Sequence, residues 1–262
     1  MSMRIIFPAD PLGEKQADGP FRDEYLSLKS RGVDCSLFDY DSVEFDEFRP
    51  KPQLNKGELI LYRGWMMKPS VYEKLTSMVE RKGGKMLTPP QSFIRSHHLP
   101  CWYESCKKLT PETIFSDSEK DLEKLADDLG WGRFFVKDFV KSNYNERGSI
   151  ANSPSEVLEI VSLIKEHRGE IEGGISLRRV EEYLPETEQR YFVLNGRAYS
   201  ADGNVPDLVS EISKIHAAPF YSVDVIQRSD GVLRLVELGD GQVSDKKTWD
   251  PDVFCQMIAE NA

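Results

Sequence analysis

The stretch FYSVDVIQRSDGVLRLVELGD, Phe220 to Asp240, decides how this chain is read. Two runs rich in β-branched and aromatic residues flank Asp230-Gly231, among the strongest short signals for a hairpin with a two-residue type I′ turn. Such a turn pairs Ser229 with Val232, Gln227 with Arg234 and Val225 with Val236, so Asp224 falls across from Glu237 on the same face. A three- or four-residue loop over Arg228 to Gly231 would shift that pairing. With the two-residue turn, the Cβ atoms of Asp224 and Glu237 lie about 5 Å apart. Two carboxylates at that distance repel by roughly 3 kcal/mol at an effective dielectric of about 20. Compensation would come from a bound cation, a buried Lys or Arg, or a shared proton, and carboxylate oxygens select hard divalent metals. The plain alternative is that both side chains point into water. If the two repel in the metal-free protein, an amide at either position leaves stability unchanged or slightly raised.

Composition narrows the rest. A chain of 262 residues can form one large or two modest cores, and 39% hydrophobic with 30% charged residues describes an ordinary globular protein. A net charge of −10 opposes nucleic acid as a partner. The dense basic spots, Lys107-Lys108 and Arg178-Arg179, are doublets that read as solvated faces. No apolar run approaches the ~20 residues needed to cross a bilayer, and MSMRIIFPAD has no signal-peptide pattern, so a cytoplasmic protein without a membrane partner is expected. The four cysteines contain no CxxC pair, and the cluster His97, His98, Cys101, Cys106 fits no zinc spacing.

Residues 1–90 alternate strands and helices: RIIFP, a helical stretch from Pro20 to Ser30, VDCSLF, ELILYRG, then a helix opened by Pro69-Ser70 with a capping-box signature at Glu73 and ended by Gly83-Gly84 before KMLTPP. This rhythm predicts a mostly parallel sheet covered on both faces. After an irregular stretch to Pro100, residues 91–176 read as a small sheet with two helices. One of these starts at Ser116 with a box at Glu119, the other at Ser153-Pro154-Ser155-Glu156, and the strand GRFFVKDFV and polar loop SNYNERG lie between them. Residues 177–262 are strand-rich, with LRRVEEYL, a hairpin turning at Asn195-Gly196, a helix bearing Leu208, Ile212 and Ile215, and the hairpin quoted above.

In this order the motifs resemble the ATP-grasp superfamily. The resemblance implies an α/β (α+β) chain: an N-terminal α/β domain at 1–90, then a two-subdomain ATP-grasp fold with a lid at 91–176 and a strand-rich catalytic part at 177–262. FFVKD resembles the lid strand whose lysine, here Lys137, reaches the nucleotide phosphates. VEEYLPETEQRYFVLNG resembles the hinge and following hairpin, where Glu182, Tyr183 and Leu184 would hold adenine and Glu188 the ribose hydroxyls. Arg190 matches an arginine placed near phosphate or substrate, and SVDVI and LVELGD match the metal-binding carboxylates, Asp224 and Glu237. The ending ELGDGQ resembles a little-characterised clade of the superfamily, one whose label refers to arginines and a lysine. The implied cofactors are ATP and Mg²⁺, and the implied partners a small-molecule or peptide carboxylate and an amine.

The chemistry suits these residue types, since activating an acid with ATP needs cations on the phosphates and carboxylates to bridge Mg²⁺ to them. Lys137 would add a point charge and Arg190 a planar fork. Plainer roles stand beside these: Lys137 as an edge-strand lysine, and Glu188 with Arg190 as a surface ion pair. Three departures from the family pattern matter. Gly239 stands where many members have Asn, with Asp240 as a substitute metal ligand; the lid-opening Asp-Lys pair is missing; and the lid loop has few glycines, leaving Lys141 and Arg147 to approach the phosphates. Arg63, after the strand LILY, would sit where open α/β sheets place ligands, meeting either a substrate carboxylate or a domain-interface acid. A carboxylate-amine ligase working through an acyl-phosphate is expected. A nucleotide-binding regulatory protein with degenerate catalysis, or an ATP-grasp kinase, is the alternative.

Overall fold

The computed structural model describes residues 3–140 and 147–262, apart from the side chains of Glu14 and Arg168. The chain forms two compact units, one from residues 1–96, 189–223 and 239–262, the other from 97–188 and 224–238. Residues 177–262, expected as one subdomain, are therefore shared between them.

In the first unit, β1 (Met3–Asp10), β3 (Asp34–Phe38), β4 (Leu59–Tyr62) and β5 (Lys85–Met86) pair in parallel, while β2 (Gly13–Ala17) returns antiparallel to the end of β1. Side-chain alternation explains why both faces are covered. Ile5, Phe7 and Leu61 join Tyr25 and Leu28 of α1 (Arg22–Ser30) and Phe254 and Ile258 of α8 (Pro251–Ala259). Ile6, Ile60 and Tyr62 face the other way, toward Leu75 and Val79 of α2 (Pro69–Arg81) and Phe93 of α3 (Pro90–His97). The helix α3 replaces the irregular stretch expected there. The capping box expected at α2 is absent too: its N-cap is Lys68, with Pro69 opening the first turn and no side-chain cap.

The second unit contains α4 (Leu99–Cys106), β6 (Thr113–Ser116), α5 (Leu122–Leu129), β7 (Phe134–Asp138), β8 (Ile150–Ala151), α6 (Pro154–Arg168) and β9 (Ile175–Arg179). Its sheet runs β6-β9-β7-β8, antiparallel throughout, and Phe134, Val136, Ile175 and Leu177 pack on α5 and α6. Ser153 caps α6 as its sequence predicts, accepting from the Glu156 N–H. Ser116 starts no helix: it ends β6, and α5 begins at Leu122 without a side-chain cap.

The remaining sheet, β11-β10-β12-β13, comprises β10 (Tyr183–Leu194), β11 (Arg197–Tyr199), β12 (Phe220–Arg228) and β13 (Leu233–Asp240), with α7 (Asp207–Ile215) between β11 and β12. Asn195 and Gly196 both have positive φ, 51° and 79°, as the two-residue turn requires. At the tip of β12–β13 the two-residue turn is corrected to a three-residue loop. The Gly231 N–H donates to the Arg228 carbonyl, Arg228 N–H to the Val232 carbonyl, and Gly231 has φ 87°. At the other end Gly241 N–H bonds the Phe220 carbonyl, which is the register of a two-residue turn. One extra residue in β13 must absorb the difference. Burial along β13 breaks its alternation between buried Leu235 and Leu238, with Val236 and Glu237 both half-buried, so a bulge at 236–237 leaves both residues facing Asp224.

No helix among the described residues is long and apolar enough to cross a membrane.

Candidate active site

Within the second unit, Lys137 lies on β7 beside Ser176 of β9, on the face opposite the α5–α6 core. It is 3% exposed, and its ammonium forms an ion pair with Glu237 Oε1. Of the compensations open for two opposed acids, the structure supplies a buried lysine. Asp224 is itself buried, whereas Glu237 is about one-third exposed. Among the described residues no group of three or more His, Cys, Asp or Glu side chains could hold a metal ion. A Mg²⁺ site here would therefore rest on one or two protein carboxylates, with ligand oxygens and water completing it, the usual pattern for nucleotide-bound Mg²⁺.

The linker from β9 into β10 is tied to the same hairpin. Glu182 accepts from the Ser229 N–H through its carbonyl at 2.9 Å, and its exposed carboxylate pairs with Arg133 at 2.7 Å. Tyr183 donates to Glu181 Oε2, and burial together with that acid raises its pKa above the ordinary phenol range. Leu184 leaves an apolar side chain 36% exposed, its carbonyl accepting from Thr187 Oγ1, which in turn accepts from the Gln227 N–H of β12. Glu188 is exposed. One unit thus brings together Lys137, Glu182, Tyr183, Leu184, Glu188, Asp224 and Glu237.

Three candidates fall in the first unit. Arg190 donates to the Asp245 carbonyl at 3.0 Å and is mostly buried. Arg63 is corrected from a substrate group to a structural one. It is 1% exposed, holds Glu24 through two bonds of 2.7 and 3.0 Å, and donates to the carbonyls of Gly241, Gln242 and Ser244. Burial pushes the Glu24 carboxyl up, but Arg63 and Lys246 outweigh it and hold the group below its usual range. Asp240 is corrected likewise. It is wholly buried, Oδ1 accepts from the backbone and side chain of Gln242, and Oδ2 has no partner among the described residues. Burial, only partly offset by those bonds and by Arg63, pushes its pKa up to about 7, so it is a core group and no substitute metal ligand. A Cβ at Gly239 would come 2.8 Å from Ser222 Oγ and 3.0 Å from Ser244 Oγ, and these hydroxyls, 2.8 Å apart, fill the space an Asn would need. Lys141 lies outside the described residues.

Sequence reasoning missed Arg178. Adjacent strand residues face opposite ways, so a basic doublet on a two-sided strand turns one member inward: Arg179 is exposed and Arg178 is buried.

Residues 128–258, half of the chain, match the model of an ATP-grasp domain family, the third family of the clade labelled for its arginines and lysine. The chain belongs to the ATP-grasp superfamily. Membership places it among ATP-dependent ligases. Similar solved structures include the D-cycloserine synthetase DcsG (TM-score 0.64, 12% identity, 100% of this chain and 99% of that one). The macrocyclase MdnC bound with precursor peptide MdnA from Microcystis aeruginosa MRC is another (0.62, 14%, 100% and 99%). A third is the ATP-grasp ligase PsnB complexed with minimal precursor, Mg and ADP (0.60, 10%, 99% and 98%). At these identities the likeness is one of fold, and it extends over the whole ATP-grasp chain. No curated protein matches the sequence.

Proposed function

We propose that this ATP-grasp protein is a carboxylate-amine ligase using ATP and Mg²⁺. The carrying observation is the buried Lys137 paired with Glu237 in the unit that also holds Asp224 and the 182–188 linker. Exposed Leu184 offers an apolar contact for adenine, backbone groups at 182–184 its polar edge, and Glu188 an acceptor for the ribose hydroxyls. Lys137 leaves Glu237 for a phosphate oxygen, and Asp224 and Glu237 become the two carboxylates that hold Mg²⁺. When bound, Mg²⁺ supplies charge neutralisation at the phosphate oxygens. The acid's carboxylate oxygen takes the γ-phosphoryl group and ADP departs; the amine then attacks the acyl carbon, phosphate leaves, and the amine proton passes to solvent. The chain's part is positioning and fixed charge. Among the structures of like fold, MdnC is bound with a precursor peptide and DcsG is a D-cycloserine synthetase, which supports a peptide or small-molecule acid as substrate. A cytoplasmic setting, where ATP is plentiful, fits this reading.

Gly239 favours a second reading, nucleotide binding without ligation, because the Ser222–Ser244 pair leaves no side-chain oxygen at the position of the family's Asn. Thermal unfolding with ATP and Mg²⁺ tests the premise of both: ligand at 100 times its dissociation constant adds about 2.7 kcal/mol. No shift at millimolar nucleotide with Mg²⁺ would remove both readings. Release of ADP and phosphate from a panel of acids and amines, including peptides, separates them.

A further inference from the structure

The face of the β6-β9-β7 sheet that carries Lys137 also carries Arg178, which pairs with Phe135 of β7 and Thr113 of β6. Arg178 is 5% exposed, yet among the described residues it has no carboxylate within ion-pair distance, and its Nε has no partner. A buried guanidinium without a counter-charge is strongly unfavourable, so its retention needs a reason beyond stability. Its two other nitrogens show where it acts. Nη1 donates to the Val236 carbonyl at 2.8 Å, and Nη2 to Thr110 Oγ1 at 2.6 Å. Thr110 Oγ1 donates to the Leu235 carbonyl at 2.8 Å, and the Leu235 N–H bonds the Leu109 carbonyl at 2.8 Å. The peptide immediately before Glu237 is therefore held by residues 109–110 and Arg178, and these contacts fix the bulge that turns Glu237 toward Asp224 and Lys137.

We infer that Arg178 is a positioning residue for Glu237: it pins the Val236 carbonyl and places a fixed positive charge behind the carboxylate that receives Mg²⁺. This rests on the nucleotide reading above. Only a planar fork reaches both the carbonyl and the threonine hydroxyl; a lysine keeps the charge and loses one bond.

The test is calorimetric titration of ATP and of adenosine, each with and without Mg²⁺, into the unaltered protein and into Arg178→Met, Arg178→Lys and Thr110→Val. The quantity read is the gain in ATP affinity on adding Mg²⁺. Loss of an outer-shell support costs about 10-fold or more in metal affinity, so Arg178→Met should lose about that much of the gain. Arg178→Lys should recover part of it, and Thr110→Val, which keeps the Val236 bond, should lose less. Adenosine, which needs the linker and not Glu237, should bind all four proteins alike. An undiminished Mg²⁺ gain in Arg178→Met overturns the inference, as does an equal loss of adenosine and ATP affinity, the mark of a merely structural role. Should Arg178→Met fail to fold, undiminished gains in both other variants overturn it. Absence of ATP binding by the unaltered protein overturns the nucleotide reading itself, and this inference with it.

Discussion

Each unit buries one arginine deeply, and the two are held in opposite ways. Arg63 has a bidentate carboxylate, three carbonyls and the rings of Phe21 and Phe254 within cation–π range. Arg178 has one carbonyl, one hydroxyl and no acid among the described residues. The first is a closed set, in which every donor is matched from within the fold. The second leaves positive charge unmatched beside the residues proposed to receive Mg²⁺ and phosphate. Burial alone therefore does not tell a structural cation from a functional one; the completeness of its partners does.

That contrast can be broken by stability measurements. Arg63→Met strands Glu24 with only Lys246 beside it, and removing one member of a buried pair costs about 3–5 kcal/mol; denaturant unfolding should show the largest loss here. Asp240, a neighbour of the Arg63 network, tests whether that closed set contains a mismatch. Its folded pKa of about 7 lies above the ordinary carboxylate value, so the folded protein keeps a proton that the unfolded chain releases. Stability should accordingly fall as pH rises through the window from about 4 to 7. Asp240→Asn should flatten that slope, being more stable than the unaltered protein at pH 8 by about 3 kcal/mol and nearly equal at pH 4. Unfolding at the two pH values checks it.

Two smaller effects sharpen the comparison in the second unit. Repulsion alone would make an amide at position 237 harmless, but Glu237 is the counter-charge of buried Lys137. Glu237→Gln should therefore lower the stability of the ligand-free protein by about 2 kcal/mol, below the figure for a fully buried pair because Glu237 is partly exposed. An unchanged unfolding midpoint would restore the simpler picture of two acids in mutual repulsion. Arg178→Met strands no carboxylate, so its loss should be smallest, about 1 kcal/mol for the freed Val236 carbonyl. A loss as large as that at Arg63 would erase the distinction between the two arginines.

The local order of the fold was largely legible, because it is written in short-range chemistry: the strand-helix rhythm of the first 90 residues, the Asn195-Gly196 turn, the Ser153 cap. Where the reading failed, distant partners decide. The Ser-x-x-Glu patterns at Ser70 and Ser116 look like caps, but Pro69 already opens α2, and Ser116 is held in β6 by pairing with Ile175. Asp240 could not be separated from a metal ligand because its environment comes from Gln242, Tyr72 and Arg63, far apart in sequence or turned by a loop. Arg63 was equally ambiguous until Glu24 was seen beside it. At the hairpin a three-residue loop and a bulge in β13 offset one another, so the facing of Asp224 and Glu237 was read correctly from a turn that does not form. Arg178 was hidden by its neighbour Arg179, since a charged doublet looks solvated unless strand alternation is applied to it.

The Lys137–Glu237 pair has a kinetic meaning on the proposed reading. A divalent ion arriving alone meets a carboxylate already neutralised by an ammonium, and a nucleotide arriving alone would draw Lys137 away while leaving Glu237 exposed to the phosphates' own charge. Only the joint arrival of both gives each partner of the broken pair an opposite charge in exchange. The empty protein would then work as a coincidence gate, indifferent to free Mg²⁺ and reluctant toward bare ATP, and would order itself only around the complex of the two.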